Sequence, residues 1–130
     1  MATQLGVGLI GCGAIGSLIA QAVDNGKVGD IQLIVVYDMI QEKAEKLSAS
    51  LTSKPKVVKS LEEMLSIPAV QLILEAGSQS VLRESAVKVL QSGKDLMAMS
   101  IGAFVDPQLL MKFMQPSSRL AGNYFVLLAQ

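Results

Sequence analysis

The fold of this 130-residue chain is decided near its amino terminus by Leu5-Gly6-Val7-Gly8-Leu9-Ile10-Gly11-Cys12-Gly13-Ala14-Ile15-Gly16. Leu5–Ile10 is short, apolar and uncharged, which is typical of a buried strand. The apolar residues that come next recur at helical spacing and comprise Ile15, Leu18, Ile19, Ala22 and Val23. The stretch therefore predicts a buried strand, a glycine loop and an amphipathic helix with that stripe on its buried face.

Gly11-Cys12-Gly13-Ala14-Ile15-Gly16 has the GxGxxG spacing of a dinucleotide-binding loop. The first glycine permits a tight turn, the second lets a pyrophosphate approach the backbone, and the third lets helix and strand pack closely. The N–H groups and the dipole at the start of the helix attract phosphate charge. The alternative is an ordinary turn that merely contains glycines.

Asp38 lies 22 positions after Gly16, at the end of the second predicted strand. A carboxylate there bonds the ribose hydroxyls of a dinucleotide. Because it repels a 2′-phosphate and no Arg follows within Met39-Ile40-Gln41, the sequence predicts NAD, with NADP as the less favoured cofactor. The alternative is a simple exposed residue at a strand end.

Cys12 lies inside the loop and has two interpretations. A thiol at a helix amino terminus favours the thiolate and hence redox sensitivity. A small side chain there also simply fits beneath a dinucleotide. Since the chain has no second cysteine to resolve an oxidised Cys12, the second interpretation is favoured.

The rest of the chain alternates short apolar runs with helical patterns. The predicted strands are Leu5–Ile10, Ile31–Tyr37, Pro55–Val58, Val70–Leu74, Asp95–Met99 and, as a sixth, Tyr124–Leu128. The predicted helices carry a stripe of Ile40, Ala44, Leu47 and Leu51, a capping box at Ser60-Leu61-Glu62-Glu63, and an apolar side over Gln79–Gln91. Such alternation indicates a parallel sheet covered on both faces, in a single doubly wound, Rossmann-type α/β domain.

Composition argues against several function classes. Eleven Lys and Arg balance eleven Asp and Glu, so a nucleic-acid partner held by general phosphate attraction is not expected. The chain has no His, which excludes a His-based acid, base or metal ligand, and no metal site is predicted. One cysteine excludes an internal disulfide and makes the cytoplasm the default location.

Two further expectations concern surfaces. Glycines interrupt the uncharged first 23 residues, so neither a membrane span nor a signal peptide is predicted. A mean hydropathy of +0.47 is high for a domain of this size and predicts exposed apolar surface. We therefore expect a homo-oligomer, or a face that a missing second domain covers.

Ligands of this fold lie outside the carboxyl ends of the strands. The segments Glu75-Ala76-Gly77-Ser78 and Ser100-Ile101-Gly102-Ala103 follow the fourth and fifth predicted strands, and both are rich in small residues. Small side chains let a flat ring lie against the backbone. The alternative is two ordinary turns, with Ser78 as a helix N-cap.

With these segments, the sequence resembles the NAD-binding half of L-aspartate dehydrogenases over about residues 5–113. The matching motifs are Val7–Gly16, Tyr37-Asp38, Glu75–Gln79 and Gly93-Lys94-Asp95-Leu96-Met97-Ala98-Met99-Ser100-Ile101-Gly102-Ala103. The resemblance implies NAD(P)-dependent oxidation of L-aspartate to iminoaspartate for nicotinamide cofactor synthesis, and a cofactor contact at Ala103. Several sugar and amino-acid dehydrogenases share the early part of the fold but have Glu-Lys-Pro, with a catalytic Lys, after strand five. This chain has Met99-Ser100-Ile101 there, so it lacks the motif of those families.

The chain departs from that family in one respect. The family continues into a second domain with the substrate pocket and a catalytic His, whereas this chain ends at Gln130 and has no His. We expect residues 1–115 to form the dinucleotide-binding domain and 116–130 a tail or sixth strand, with the catalytic domain absent. The chain alone is therefore expected to be inactive, and the alternative function is a non-catalytic dinucleotide sensor or partner subunit.

The sequence thus predicts one cofactor site and no catalytic residue. Glu75 is expected to bond nearby backbone amides, and Lys94 to lie at the opposite end of the sheet. The predicted cofactor-binding residues are Gly11, Cys12, Gly13, Ala14, Ile15, Gly16, Asp38, Ala76, Gly77, Ser78, Ser100, Gly102 and Ala103.

Overall fold

The computed structural model of the protein describes residues 4–27, 29–98 and 124–126. Over these residues, six parallel strands form one sheet in the order β3-β2-β1-β4-β5-β6. The strands are β1 Leu5–Ile10, β2 Ile31–Tyr37, β3 Lys56–Val57, β4 Leu72–Glu75, β5 Asp95–Ala98 and β6 Tyr124–Val126. The helices are α1 Ala14–Asp24, α2 Gln41–Ser50, α3 Leu61–Leu65 and α4 Gln79–Gln91. This order is that of a dinucleotide-binding doubly wound sheet, so the predicted fold class is confirmed.

Apolar side chains cover both faces of the sheet. Strand β1 shows why, since successive residues of a strand point to opposite faces and Val7, Leu9 and Ile10 are all buried. One core cluster joins the sheet to α1 and α2 and includes Leu9, Ala20, Val23, Val36 and Leu47. The other joins it to α3 and α4 and includes Ile10, Met64, Ile73, Leu82 and Leu90.

The strand register brings three chain segments to one edge of the sheet. Ile10, the last residue of β1, lies beside Tyr37 of β2 and Glu75 of β4. The segments that follow these three residues therefore meet at the carboxyl edge. The chain order reverses between β1 and β4, and a ligand of this fold binds at that point.

The structure confirms part of the predicted buried face of α1 and corrects the rest. Ile15 and Leu18 are 57% and 67% exposed, whereas the buried residues of the helix are Gly16, Ala20 and Val23. The small residues face the sheet because Gly16 packs against the loop before the helix. This close approach leaves Ile15 and Leu18 of the predicted stripe exposed, whereas Val23 is buried and Ile19 packs against the core, as predicted.

Several predicted boundaries also differ. Ile40 is exposed and precedes α2, although Ala44, Leu47 and Leu51 are buried as expected. Strand β3 is shorter than Pro55–Val58. Strand β4 begins at Leu72 because the Val70 N–H turns back to the Ile67 carbonyl oxygen, 3.1 Å away. Helix α4 has its predicted bounds, and Met99 lies outside the described residues.

Two predicted helix caps are present. The Ser60 hydroxyl accepts a hydrogen bond from the Glu63 N–H at 3.1 Å, and the Ser78 hydroxyl accepts one from the Val81 N–H at 3.2 Å. The Glu63 carboxylate accepts its return bond from the N–H of Lys59, one residue before the cap, at 3.3 Å. These caps fix where α3 and α4 begin, and so where the loops at the carboxyl edge end.

None of the helices in residues 4–27 and 29–98 combines the length and apolar character that crossing a membrane requires.

Candidate functional site

Two glycines of the loop between β1 and α1 cannot carry a side chain. Gly11 has a φ of +97°, and a Cβ atom there would lie 2.5 Å from the Gly77 nitrogen. A Cβ atom on Gly16 would overlap the Gly11 carbonyl oxygen. Gly11 thus makes the tight turn and Gly16 allows the close packing, which are the structural roles that the motif predicts.

Gly13 differs from the other two glycines of the motif. A Cβ atom on Gly13 would meet no other atom within 4 Å, so the space above this residue is open. Gly13 is also the N-cap of α1, with no side-chain cap and no acidic residue in the first turn of the helix. The N–H groups that begin a helix lack partners within it, so the open space adjoins hydrogen-bond donors. This is the geometry that an approaching phosphate group requires.

The carboxylate of Asp38 lies directly against the glycine loop. Its Oδ2 accepts a hydrogen bond from the Cys12 N–H at 2.8 Å, and its Oδ1 accepts one from the Ile40 N–H at 2.8 Å. Asp38 is half-buried, so it is not a simple exposed residue at a strand end. The two parts of the predicted fingerprint, 26 residues apart, are therefore one structural unit.

The Cys12 thiol is buried and protonated at neutral pH. Burial, and secondly the negative charge of Asp38, raise the pKa of Cys12 to about 12. The thiol lies 3.7 Å from the Tyr37 carbonyl oxygen, in position to donate to it. A thiolate is therefore disfavoured here, which contradicts redox sensitivity and supports the interpretation as a small loop residue.

The loop after β4 forms the other side of the site. Glu75 is fully buried, and its Oε2 accepts a hydrogen bond from the Gly77 N–H at 2.8 Å, as expected. The Ala76 N–H donates to the Ile10 carbonyl oxygen at 2.7 Å, which ties this loop to the end of β1. Ser78 caps α4 through its hydroxyl and also faces the open space beside Gly13.

These loops enclose a cavity of about 210 Å³. We call it the loop cavity, and its lining residues are Gly11, Gly13, Asp38, Lys43, Ala76, Gly77, Ser78 and Val81. A second cavity of about 180 Å³ shares Val81 with it and lies between the end of β2, the start of α3 and α4. The lining of this side cavity includes Tyr37, Met39, Lys59, Ser60 and Ser85. Val81 thus separates the two cavities.

The structure brings six of the predicted residues into the loop cavity, namely Gly11, Gly13, Asp38, Ala76, Gly77 and Ser78. Cys12 and Gly16 lie in the loop and in the first turn of α1 and support its shape, and the exposed Ala14 and Ile15 begin α1. Ser100, Gly102 and Ala103 lie outside the described residues. No cluster of three metal-ligating side chains occurs in the part of the chain that is described.

Sequence reasoning missed two residues of this cavity. Lys43 lines it from the first turn of α2, and Val81 from the first turn of α4. Lys43 is exposed and lies outside the predicted apolar stripe of α2, so helical periodicity did not single it out. The available signal was its spacing, because Lys43 follows Asp38 by five residues across a tight turn.

Comparison with known proteins identifies relatives of this chain. Residues 11–126 match the family described as "Homoserine dehydrogenase, NAD binding domain". An L-aspartate dehydrogenase of Methanocella arvoryzae is 42% identical over 104 residues, which cover 80% of this chain and 37% of that protein. One from Methanococcus maripaludis strain C5 is 34% identical over 123 residues, covering 95% and 45%. The chain thus spans less than half the length of these relatives.

Solved structures share the fold. The aspartate dehydrogenase of Thermotoga maritima has a TM-score of 0.67 and 19% identity, and covers 95% of this chain and 45% of its own. The WlbA dehydrogenase of Bordetella pertussis, solved with NADH and UDP-GlcNAcA, has a TM-score of 0.81 and 19% identity, with coverage of 95% and 37%. The resemblance to L-aspartate dehydrogenases is thereby confirmed, and this chain belongs to the homoserine dehydrogenase-type NAD-binding domain family.

Proposed function

We propose that this chain binds NAD(H) in the loop cavity and is the cofactor-binding part of an L-aspartate dehydrogenase. The observation that carries the proposal is the 2.8 Å hydrogen bond from the Cys12 N–H to the Asp38 carboxylate. It joins the group that would bond a ribose to the loop that would bind a pyrophosphate. The relatives named L-aspartate dehydrogenase support the choice of reaction.

The residues of the cavity divide the binding between them. The open backbone at Gly13 and the first turn of α1 would hold the pyrophosphate. Each carboxylate oxygen of Asp38 has a lone pair left to accept a ribose hydroxyl. The side cavity beyond Val81 would take the adenine, between Met39 and Ser85. Ser100, Gly102 and Ala103 remain predicted contacts on the nicotinamide side.

The bound nicotinamide supplies the hydride acceptor in this chemistry. Oxidation of L-aspartate to iminoaspartate would require removal of a hydride from the α-carbon, for which the bound cofactor would be the acceptor, and of a proton from the amine. That proton needs a base. The Glu75 carboxylate is fully buried and accepts the Gly77 N–H, and the Lys94 ammonium bonds carbonyl oxygens of Ile67 and Val70 at the opposite edge. We therefore propose that the base belongs to a second domain.

An exposed apolar face of α1 supports a covering partner. Ile15 and Leu18 project from this helix next to the glycine loop, and both are more than half exposed. We propose that a second domain or a second copy of the chain covers them. A cytoplasmic location and residues 1–115 as the extent of the domain remain predictions from the sequence. A non-catalytic sensor that binds the same dinucleotide remains the alternative.

Calorimetric titration of the purified chain with NADH tests the proposal. We expect binding that Gly13→Val abolishes by filling the open space, while Asp30→Ala, which alters an exposed carboxylate away from the site, leaves binding unchanged. No binding at millimolar NADH would refute the proposed cofactor site. Aspartate-dependent NADH formation by the chain alone, abolished by Glu75→Gln, would show that the base has been misplaced.

A further inference from the structure

Glu75 is a buried carboxylate that the proposed function does not use. It is the last residue of β4, it is fully buried, and it follows three apolar residues of that strand. Among the described residues the buried polar side chains are Ser48, Glu75, Ser85 and Lys94, and of these Glu75 alone ends a strand at the carboxyl edge. A buried carboxylate costs free energy unless hydrogen bonds compensate it. The bonding of Glu75 therefore indicates what it does at this edge.

A hydrogen bond to Glu75 fixes the loop that follows β4. Its Oε2 accepts the Gly77 N–H at 2.8 Å, which closes a turn over two residues. The Ala76 N–H donates to the Ile10 carbonyl oxygen at 2.7 Å. Both N–H groups of this segment thus have fixed acceptors, one in the backbone of β1 and one in the Glu75 side chain. We call the peptide group that joins Ala76 to Gly77 the wall peptide, and its N–H is the group that Glu75 holds.

The wall peptide lies against the glycine loop. A Cβ atom on Gly11 would lie 2.5 Å from the Gly77 nitrogen and 2.6 Å from the Ala76 carbonyl carbon, so Gly11 packs closely against both atoms. A Cβ atom on Gly77 would in turn lie 3.2 Å from the Val81 side chain. The wall peptide is therefore packed against the glycine loop and against the first turn of α4. A shift of this peptide group would either press on Gly11 or open a gap beside it.

The residues that this packing places also line the loop cavity. Gly11, Ala76, Gly77 and Val81 all belong to its lining, whereas Glu75 is fully buried and does not. Glu75 thus acts on the cavity through the wall peptide and not by contact with a ligand.

We propose that Glu75 is a positioning residue for NAD(H), which holds the wall peptide in place before the cofactor arrives. The inference rests on the proposed function, since it takes the loop cavity as the cofactor site. A binding site that is already formed does not spend binding energy on ordering a loop. Without the Glu75 acceptor the wall peptide would occupy its present position only part of the time, and the apparent affinity would fall in proportion to that fraction. This role needs an acceptor oxygen, which a glutamine also provides, whereas a catalytic base needs a carboxylate.

Calorimetric titration of the wild type, Glu75→Gln, Glu75→Met and Lys94→Met with NADH tests this role at a temperature well below the Tm of each protein. Lys94→Met is the matched control, because Lys94 is also buried and bonds backbone carbonyl oxygens, those of Ile67 and Val70, at the opposite edge of the sheet. We expect Glu75→Met, which removes the acceptor, to weaken NADH binding about fivefold or more, as follows if the wall peptide is in place for about one-fifth of the time. Glu75→Gln should bind NADH within about twofold of the wild type, since its amide oxygen accepts the same N–H. Lys94→Met should bind NADH as the wild type does.

Amide hydrogen exchange measured by NMR tests the same hydrogen bond without a variant. We expect the Gly77 amide of the wild-type chain to be protected from exchange before NADH is added, and to keep that protection when NADH binds. In Glu75→Met the Gly77 amide should lose protection, and the resonance of the Gly11 amide should shift, because the two residues are in contact. A Gly77 amide that becomes protected only on addition of NADH would show that the cofactor orders the loop. That result would overturn the inference even if Glu75→Met does not fold.

Three results of the titrations would also overturn the inference. An NADH affinity of Glu75→Met equal to that of the wild type would leave Glu75 with a role in stability alone. Equal losses in Glu75→Met and Glu75→Gln would show that the carboxylate itself, and not an acceptor for the Gly77 N–H, is required. Equal losses in Glu75→Met and Lys94→Met would show that affinity follows overall stability. The proposed function survives all three, whereas failure of the wild type to bind NADH refutes the proposed function itself.

Discussion

Replacement of Asp38 by Ala tests the idea that one carboxylate both builds the glycine loop and binds the cofactor. The substitution removes the acceptor of two backbone N–H groups that differ in their surroundings. The Cys12 N–H belongs to a buried residue, whereas Ile40 is 53% exposed. Water can replace the carboxylate at Ile40 but not readily at Cys12.

The expected loss of stability follows from that difference. A hydrogen bond to a charged group contributes about 1.5–3 kcal/mol, and a buried donor left without an acceptor costs a similar amount. The exposed bond to Ile40 adds close to nothing. We therefore expect Asp38→Ala to lower the free energy of unfolding by about 1.5–3 kcal/mol and the Tm by roughly 5–12 °C for a chain of this length.

Asp38→Asn separates the two roles of the carboxylate. The amide oxygen can still accept the Cys12 N–H, while the amide group turned to Ile40 accepts nothing. We expect Asp38→Asn to lose less than about 1 kcal/mol of stability, because only the exposed bond is missing. Its NADH affinity should nevertheless fall about tenfold, because a charged acceptor of the ribose hydroxyls is gone.

Urea and thermal unfolding, both followed by circular dichroism, measure the free energy of unfolding and the Tm, and calorimetric titration measures the NADH affinity. A Tm for Asp38→Ala equal to that of the wild type would refute the structural role of the carboxylate. An equal loss of stability in the Ala and Asn variants would show that charge, and not the accepted hydrogen bond, is what the loop requires.

Three further predictions test other parts of the structure. Gly16→Ala is expected to lower the free energy of unfolding by about 1–3 kcal/mol, because its Cβ would overlap the Gly11 carbonyl oxygen. In the matched control Gly13→Ala the added Cβ meets open space, so its midpoint of urea unfolding should equal or exceed that of the wild type. Because burial raises the pKa of Cys12 to about 12, the thiol should resist alkylation by iodoacetamide at pH 8 in the native chain and react once guanidinium chloride unfolds it. Mass spectrometry measures the alkylated fraction, and rapid alkylation of the native chain would contradict the burial of Cys12. Burial lowers the pKa of Lys94 below its ordinary value of 10.5, so between the lowered value and 10.5 the unfolded chain binds more protons than the folded one. The contribution of Lys94 to the free energy of unfolding should therefore rise with pH across that window, and Lys94→Met should remove the rise. Identical pH profiles of the free energy of unfolding for the two proteins would argue against this.

The sequence predicted those parts of the molecule whose signals are local. Strands β1 and β2 are continuous apolar runs, and Ser60 and Ser78 are caps because their hydroxyls accept N–H groups three residues on. Helix α4 has its predicted ends for the same reason. The position of Asp38 was predictable as well, since parallel strands end at a common edge and β1 and β2 are neighbours.

The parts that the sequence did not predict depend on contacts between segments. Periodicity identified α1 as a helix and Val23 as a buried residue, but it also predicted burial of Ile15 and Leu18, which are exposed. The buried face is set by the contact of Gly16 with Gly11, which places the small Ala20 towards the sheet and leaves Leu18 outside. Lys43 was missed for a related reason, because its place in the lining of the loop cavity depends on the shape of the turn through Ile40.

The double role of Asp38 has a consequence for how cofactor preference is set in this site. A change of Asp38 to a neutral small residue would relieve repulsion of a 2′-phosphate, but it would also remove the acceptor that holds the Cys12 N–H. The loop that we propose binds the pyrophosphate would then lose its support, so tolerance of NADP would come with weaker binding of every dinucleotide. We therefore expect that cofactor preference cannot be changed at Asp38 without a loss of affinity for every dinucleotide, because the same carboxylate accepts the Cys12 N–H.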